Sequence, residues 1–211
     1  MVKLYKYTKI EYAISAIRNG IYAGKVTDFN DPYEYEGITY PDNYRICCLT
    51  KSAKKMLMWA YYGMHKECCI KYEVPEDIDI IKEVAYIENY YQHRNMDERE
   101  IFEHLYTKSK EWNHEKETRI VFYEPDYDEN LWNIVNNDVY FSQAKVTGII
   151  LGLNTKLDTD EIQELFRFVE NYNNNQRYKK DMIGIKKCQI SSQCFGIQVD
   201  KQFDYVRNII H

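Results

Sequence analysis

No apolar run in the 211 residues approaches the roughly 20 needed to cross a membrane, and charged residues make up 29% of the chain. Met1-Val2-Lys3-Leu4-Tyr5 passes directly into patterned sequence with no signal-peptide core, so the expected location is the cytoplasm, with no membrane partner. A net positive charge is lacking too. A formal net charge of −5 argues against a broad phosphate-binding surface, leaving local groups such as Arg177, Lys179 and Lys180 to engage nucleic acid. Zinc-type cysteine spacing is also missing. The cysteines (Cys47, Cys48, Cys68, Cys69, Cys188, Cys194) include two adjacent pairs, but neighbours in a strand face opposite ways and do not converge on one tetrahedral ion. They are expected to be reduced, metal-free and packed as small apolar residues. Repeats, low-complexity tracts and interdomain linkers are absent, and 45% hydrophobic content suits one well-buried domain over residues 1–211. The 21 tyrosines offer stacking surfaces but select no function.

What is present reads as a mixed α+β chain with a mostly antiparallel sheet and flanking helices. Lys3 to Thr8 alternates as a short strand, and Ile10, Ala13, Ile14 and Ile17 give helical spacing over 9–19 before Gly20 stops it. A strand follows over 21–26. In Asn30-Asp31-Pro32-Tyr33-Glu34, Asp31 is the expected N-cap, Pro32 the first helical residue and Glu34 the reciprocal capping-box member. Asn30 and Asp31 could also present polar groups to a ligand from that turn. Strands are expected over 45–50, 68–74 and 80–87, with helices over 53–62 and 97–112. A short helical turn is expected over 131–135. Strands then run over 139–141 and 146–151, and a helix opens with a capping box at Asp158-Thr159-Asp160-Glu161, burying Ile162, Leu165, Phe166 and Val169 before a break over 171–176. A terminal hairpin pairs 184–190 with 195–199.

The chain is organised around Trp112-Asn113-His114-Glu115-Lys116-Glu117-Thr118-Arg119-Ile120-Val121-Phe122, where ionisable residues run into a β-branched apolar segment. If 115–122 is extended, Glu115, Glu117 and Arg119 share one face while Lys116 and Thr118 point away. Two carboxylates beside a guanidinium can accept a proton, brace a developing cation and hold an anion. The plainer reading is a solvated strand end in which Arg119 pairs with both glutamates.

Four spaced motifs, Tyr5-Lys6-Tyr7, Phe29 to Glu34, Met58-Trp59-Ala60 and Trp112 to Arg119, are followed by Ile149-Ile150-Leu151-Gly152. Together they resemble a widespread, mostly bacterial and phage-associated domain family of unknown function. The chain departs from that pattern at Tyr61, where a histidine is common, and at Glu67, where a glycine precedes the next strand. The layout also looks like a remote ADP-ribosyltransferase. That resemblance implies NAD as substrate, Glu117 on the nicotinamide ribose, Glu115 orienting an acceptor, and Lys6 or Arg119 on the phosphates. The catalytic set it implies is Glu117, Glu115 and Arg119. The cofactor-binding set is Tyr5, Lys6, Tyr7, Thr50, Asn30 and Trp59, with Glu117 expected in one cleft with Tyr5 or Tyr7. The acceptor would be a protein or nucleic acid. A metal-dependent nuclease, with Asp31, Glu34, Glu115 and Glu117 on magnesium and Lys116 near the phosphate, is an alternative. So is a non-catalytic, antitoxin-like module that binds another protein.

Overall fold

The tyrosine-rich opening forms β1 (Val2–Thr8) in the computed structural model, which describes residues 1–89, 96–194, 196–200, 203 and 205. A 3-10 turn, Ile10–Tyr12, then leads into α1 (Ala13–Asn19). The Glu67 carboxylate accepts from the first amide of that turn, Ile10 N–H, at 2.9 Å. Gly20 ends α1 with φ 104°, a conformation that a side chain would resist, so glycine is required there. β2 (Ile21–Lys25), β3 (Tyr44–Thr50), α2 (Met56–Tyr61) and β4 (Cys68–Val74) follow close to their expected places.

The next stretch departs from expectation. A single strand over 80–87 is replaced by β5 (Ile81–Glu83) and β6 (Ala85–Ile87), broken at the buried Val84. The helix expected over 97–112 is α3 (Glu98–Leu105). Asp97 and Glu100 start it with a reciprocal capping box, and the chain then turns into β7 (Thr107–Ser109) and a 3-10 helix, Lys110–Glu115. β8 (Glu117–Tyr123) carries the organising motif. Instead of a helical turn at 131–135 there is a strand, β9 (Trp132–Val135), paired with β10 (Asp138–Phe141). Asn136 and Asn137 between them take φ 52° and 69°. Two consecutive positive φ values match a tight hairpin turn, for which asparagine is among the best residues, so Asn-Asn was the signal to read.

β11 (Lys145–Leu151) precedes α4 (Asp160–Asn174), whose apolar stripe is the expected one. The expected capping box is not formed: the N-cap is Thr159, without a side-chain cap bond. The helix also runs beyond the expected break, because the Asn173 amide is held by Ile183 N and O at 2.8 and 3.0 Å. β12 (Gly184–Ile190) and β13 (Ile197–Val199) form the terminal hairpin. Phe195, placed in its second strand by sequence, lies outside the described residues.

Two compact units emerge. The first comprises Met1–Gly20, Ser52–Val74 and Ala144–His211, and the second Ile21–Lys51 and Pro75–Gln143. In the first, strands run in the order β13, β12, β11, β4, β1, antiparallel except for the β11–β12 pair. One sheet face carries Tyr7, Cys69, Ile150 and Cys188 against Trp59 and Met58. The register places Ile70, Ile149 and Ile185 on the other face, and α1 packs on β11 and on α4. In the second, the order is β9, β10, β2, β3, β8, β5, all antiparallel, with β6 and β7 as a separate parallel pair. The fold is α+β with a mostly antiparallel, mixed sheet. None of the six cysteines is in a disulfide. Among the described residues no helix is long and apolar enough to cross a membrane.

Candidate functional site

The second unit buries five charged side chains together: Glu34, Lys108, Glu115, Glu117 and Arg119 are each at most 6% exposed. Strand alternation turns Glu117 and Arg119 of β8 the same way. Arg119 Nε and Nη2 donate to the two oxygens of Glu117 at 3.0 and 3.1 Å, the forked geometry that only arginine offers. Its Nη2 also donates to Glu34 at 2.6 Å, and its Nη1 to Leu105 O at 2.7 Å. The last bond satisfies a carbonyl left without a partner at the C-terminal end of α3. Lys108, the middle residue of β7, reaches Glu115 at 2.8 Å, Glu34 at 3.2 Å and Glu117 at 3.6 Å.

Glu115 joins by a route the extended reading did not foresee. It closes a 3-10 helix, and Lys116 follows with φ 47°. The reversal is held by Thr50 Oγ1 donating to Glu115 O at 2.7 Å and by Glu117 N–H donating to Tyr86 Oη at 2.8 Å. The turn at Phe29 to Glu34 is also altered. Asp31 does cap it, accepting from Tyr33 N–H at 3.1 Å, but Glu34 turns inward to the cations instead of closing a capping box.

Three carboxylates face two cations, so one negative charge is left over. Burial pushes the Glu34 carboxyl up, against the pull of Arg119 and Lys108. Burial acts the same way on Glu117, but there Arg119 and Lys108 win and hold it below the ordinary value. Burial opposes the charge on Lys108, yet Glu117, Glu34 and Glu115 together hold its ammonium above the usual lysine range. Two carboxyls in one cluster are thus driven in opposite directions, the arrangement that separates a proton carrier from a fixed anion.

A cleft of about 280 Å³ opens onto this cluster; its lining includes Asp31, Tyr33, Glu34, His104 and Lys108. The His104 imidazole meets Tyr33 O at 2.8 Å. Glu115, Glu117 and Arg119 do not line the cleft. Sequence reading missed Lys108 and gave Glu34 a capping role, with a place on magnesium in the nuclease alternative. A count of charge was the available signal, since one arginine cannot neutralise several buried carboxylates.

The remaining candidates are dispersed. Thr50 supports the Glu115 turn, and Asn30 is exposed beside the buried Asp31. Tyr5, Lys6, Tyr7 and Trp59 belong to the first unit. There Tyr7 Oη donates to Ser52 O at 3.0 Å and accepts from Lys55 N–H at 3.2 Å, with its ring edge-on to Trp59 at 5.0 Å. Trp59 Nε1 donates to Ala53 O at 2.8 Å. Lys6, one residue out of phase with Tyr5 and Tyr7, projects from the opposite face.

Thr118, between Glu117 and Arg119 but pointing the other way, is 5% exposed, and its hydroxyl has no hydrogen-bond partner among the described residues. Thr118→Val keeps the shape and removes the unsatisfied group. It is expected to raise stability by about 1 kcal/mol. An unchanged or lower midpoint in urea would show that this hydroxyl is satisfied in solution.

No family model, curated protein or solved structure matches the chain.

Proposed function

We propose that this protein is an NAD-consuming enzyme with ADP-ribosyltransferase-like chemistry, acting in the bacterial cytoplasm in phage defence. The observation that carries the reading is the surplus negative charge at the floor of the cleft, reached through Glu34. NAD presents a cationic nicotinamide ring there, and positive charge moves onto the ribose as the C1′–N bond breaks and its electron pair leaves on the nicotinamide nitrogen. Fixed carboxylates in a water-poor site stabilise that charge. Glu117, held ionised by Arg119 and Lys108, supplies the field, with Glu115 beside it on Lys108. Glu34, whose proton affinity burial has raised, takes the proton of the attacking acceptor, protein, nucleic acid or water, as its new bond to C1′ forms.

The magnesium reading is less well served by this geometry. The positions a divalent ion would take between Glu34, Glu115 and Glu117 are filled by the Lys108 ammonium and the Arg119 guanidinium. The partner-binding reading draws on one feature, the exposed Met56, Leu57, Tyr61 and Met64 on and beyond α2.

The test is nicotinamide release from NAD, alone and with candidate protein and nucleic-acid acceptors, with thermal melting as a control for folding. Wild type is expected to release nicotinamide and Glu34→Gln to do so about a hundredfold more slowly. Equal rates in folded Glu34→Gln would remove Glu34 from the chemistry. Silence of the wild type with every acceptor, beside tight capture of another protein, would replace the enzyme with a binding module.

A further inference from the structure

Residues 51–66 hold four lysines (Lys51, Lys54, Lys55, Lys66) and no aspartate or glutamate, in a chain whose formal net charge is −5. This basic stretch is also apolar. α2 lies within it and is apolar all the way round, the pattern of a helix buried on every side. Only one side of α2 is buried. Met58 and Trp59 pack into the first unit's core, with Trp59 fixed by its bond to Ala53 O and its edge-on contact with Tyr7. At about 100° per residue, Met56, Leu57 and Tyr61 then share the outer arc with Ala60, and they are 44%, 48% and 61% exposed. Met64, 69% exposed, follows at the helix's end with φ 46°. Glycine is the usual residue in that state. A methionine there bears a steric cost and stands an apolar side chain in water.

Lys54 and Lys55 come just before this apolar surface and Lys66 just after it, so cations flank it at both ends. None of these three makes an ion pair among the described residues, whereas Lys51 pairs with Glu83. The carboxylate of Glu67, next in the chain, accepts from Ile10 N–H, and Glu11 and Glu161 lie near it. What covers the surface must be apolar and anionic at once. A protein interface of standard size takes about 20–30 residues a side, and an amphipathic partner helix needs a groove. Met56, Leu57, Tyr61 and Met64, standing out from a short helix, offer neither. A fluid bilayer moulds itself around such a ridge, takes apolar side chains at the boundary of headgroups and acyl chains, and sets lipid phosphates beside flanking lysines.

We propose that α2 and the loop after it seat the protein on an anionic lipid surface. The attachment lies on the membrane without crossing it. It departs from the expected lack of a membrane partner and agrees with the lack of a spanning helix among the described residues. The proposal stands apart from the NAD reading, because residues 54–66 belong to the other unit.

Flotation of the full chain with vesicles tests it. At about 1 mM lipid, the protein is expected to float with phosphatidylcholine vesicles containing about one-third phosphatidylglycerol, and far less with phosphatidylcholine alone. Replacing Lys54, Lys55 and Lys66 together by Gln is expected to weaken binding about a hundredfold, since each lysine near an anionic surface contributes about fivefold. Met64→Gly combined with Leu57→Gln is expected to weaken it at least tenfold. That double variant should melt no lower than wild type, because glycine accepts φ 46° and glutamine suits an exposed helix position. Four results would each overturn the proposal: no flotation with the anionic vesicles, unchanged flotation of the folded lysine variant, unchanged flotation of the double variant, or a lipid-free wild-type oligomer that the double variant dissolves into monomers, which would give the surface to a second copy.

Discussion

Arg119→Leu is expected to destabilise the protein by about 3–5 kcal/mol, a drop in melting temperature of about 10 °C for a chain of this size. The cost does not arise because the ion pairs are strong in net terms, since desolvation offsets much of their attraction. It arises because removal of one partner strands the others. Glu34 and Glu117 lose the guanidinium at 2.6 and 3.0 Å, and the Leu105 carbonyl loses the side-chain donor that caps the end of α3. Lys108 alone then faces three carboxylates. Arg119→Lys should recover part of the loss at most, because one ammonium cannot reach Glu34, Glu117 and Leu105 O at once. The pH profile distinguishes this from loss of packing. Glu117 is held below its unfolded value, so its stabilisation is present above an unfolded pKa of about 4.3 and is lost as pH falls through the lower folded value. The gap between wild type and Arg119→Leu should therefore narrow below about pH 4. Urea unfolding at neutral and acid pH measures both. A variant within about 1 kcal/mol of wild type at neutral pH would mean that the cluster is hydrated rather than dry.

Sequence pattern was most informative where a single period governed the chain. The strands at Cys68–Val74 and Gly184–Ile190 have the boundaries that apolar alternation gives, and the stripe of α4 is the one its spacing predicts. It failed where a local pattern was cut by a tertiary bond. The helix expected over 97–112 contains plausible apolar residues throughout. Its real end at Leu105 is set by an arginine fourteen residues on. Glu34 has the spacing of a capping-box member, and nothing local reveals that two cations elsewhere in the chain claim its carboxylate. For the charged motif, strand alternation correctly paired Glu117 with Arg119. Glu115 reached the same cluster through a left-handed Lys116, a backbone state that lysine composition does not announce. Lys108, flanked by Thr107 and Ser109, sits in a strand with no apolar alternation at all.

Gly152→Ala is the other large effect, in the unit that does not carry the proposed chemistry. Gly152 follows β11, and a Cβ there would stand 2.3 Å from His65 O, 2.6 Å from His65 C and 3.0 Å from Glu67 O. These are main-chain atoms, so no side chain can rotate away to make room. The facing loop is itself constrained, with Met64 and His65 at φ 46° and 60°. It is also tied to the glycine's own segment. Gly152 N–H donates to Glu67 O at 2.8 Å, Asn154 N–H to His65 O at 2.8 Å, and Thr155 Oγ1 to Lys66 O at 2.6 Å. Relief of the overlap by moving the loop outward would stretch all three bonds together. Overpacking against unyielding neighbours costs about 1–3 kcal/mol, and the lost hydrogen bonds place this site at or above the upper end, at about 3 kcal/mol. Melting should fall by roughly 6–12 °C. Gly148→Ala is the control, because its nearest prospective contact is Gly184 O at 3.5 Å, ordinary packing distance. If Gly152→Ala melts no lower than Gly148→Ala, then the loop over 62–67 does not hold its close approach to Gly152 in solution.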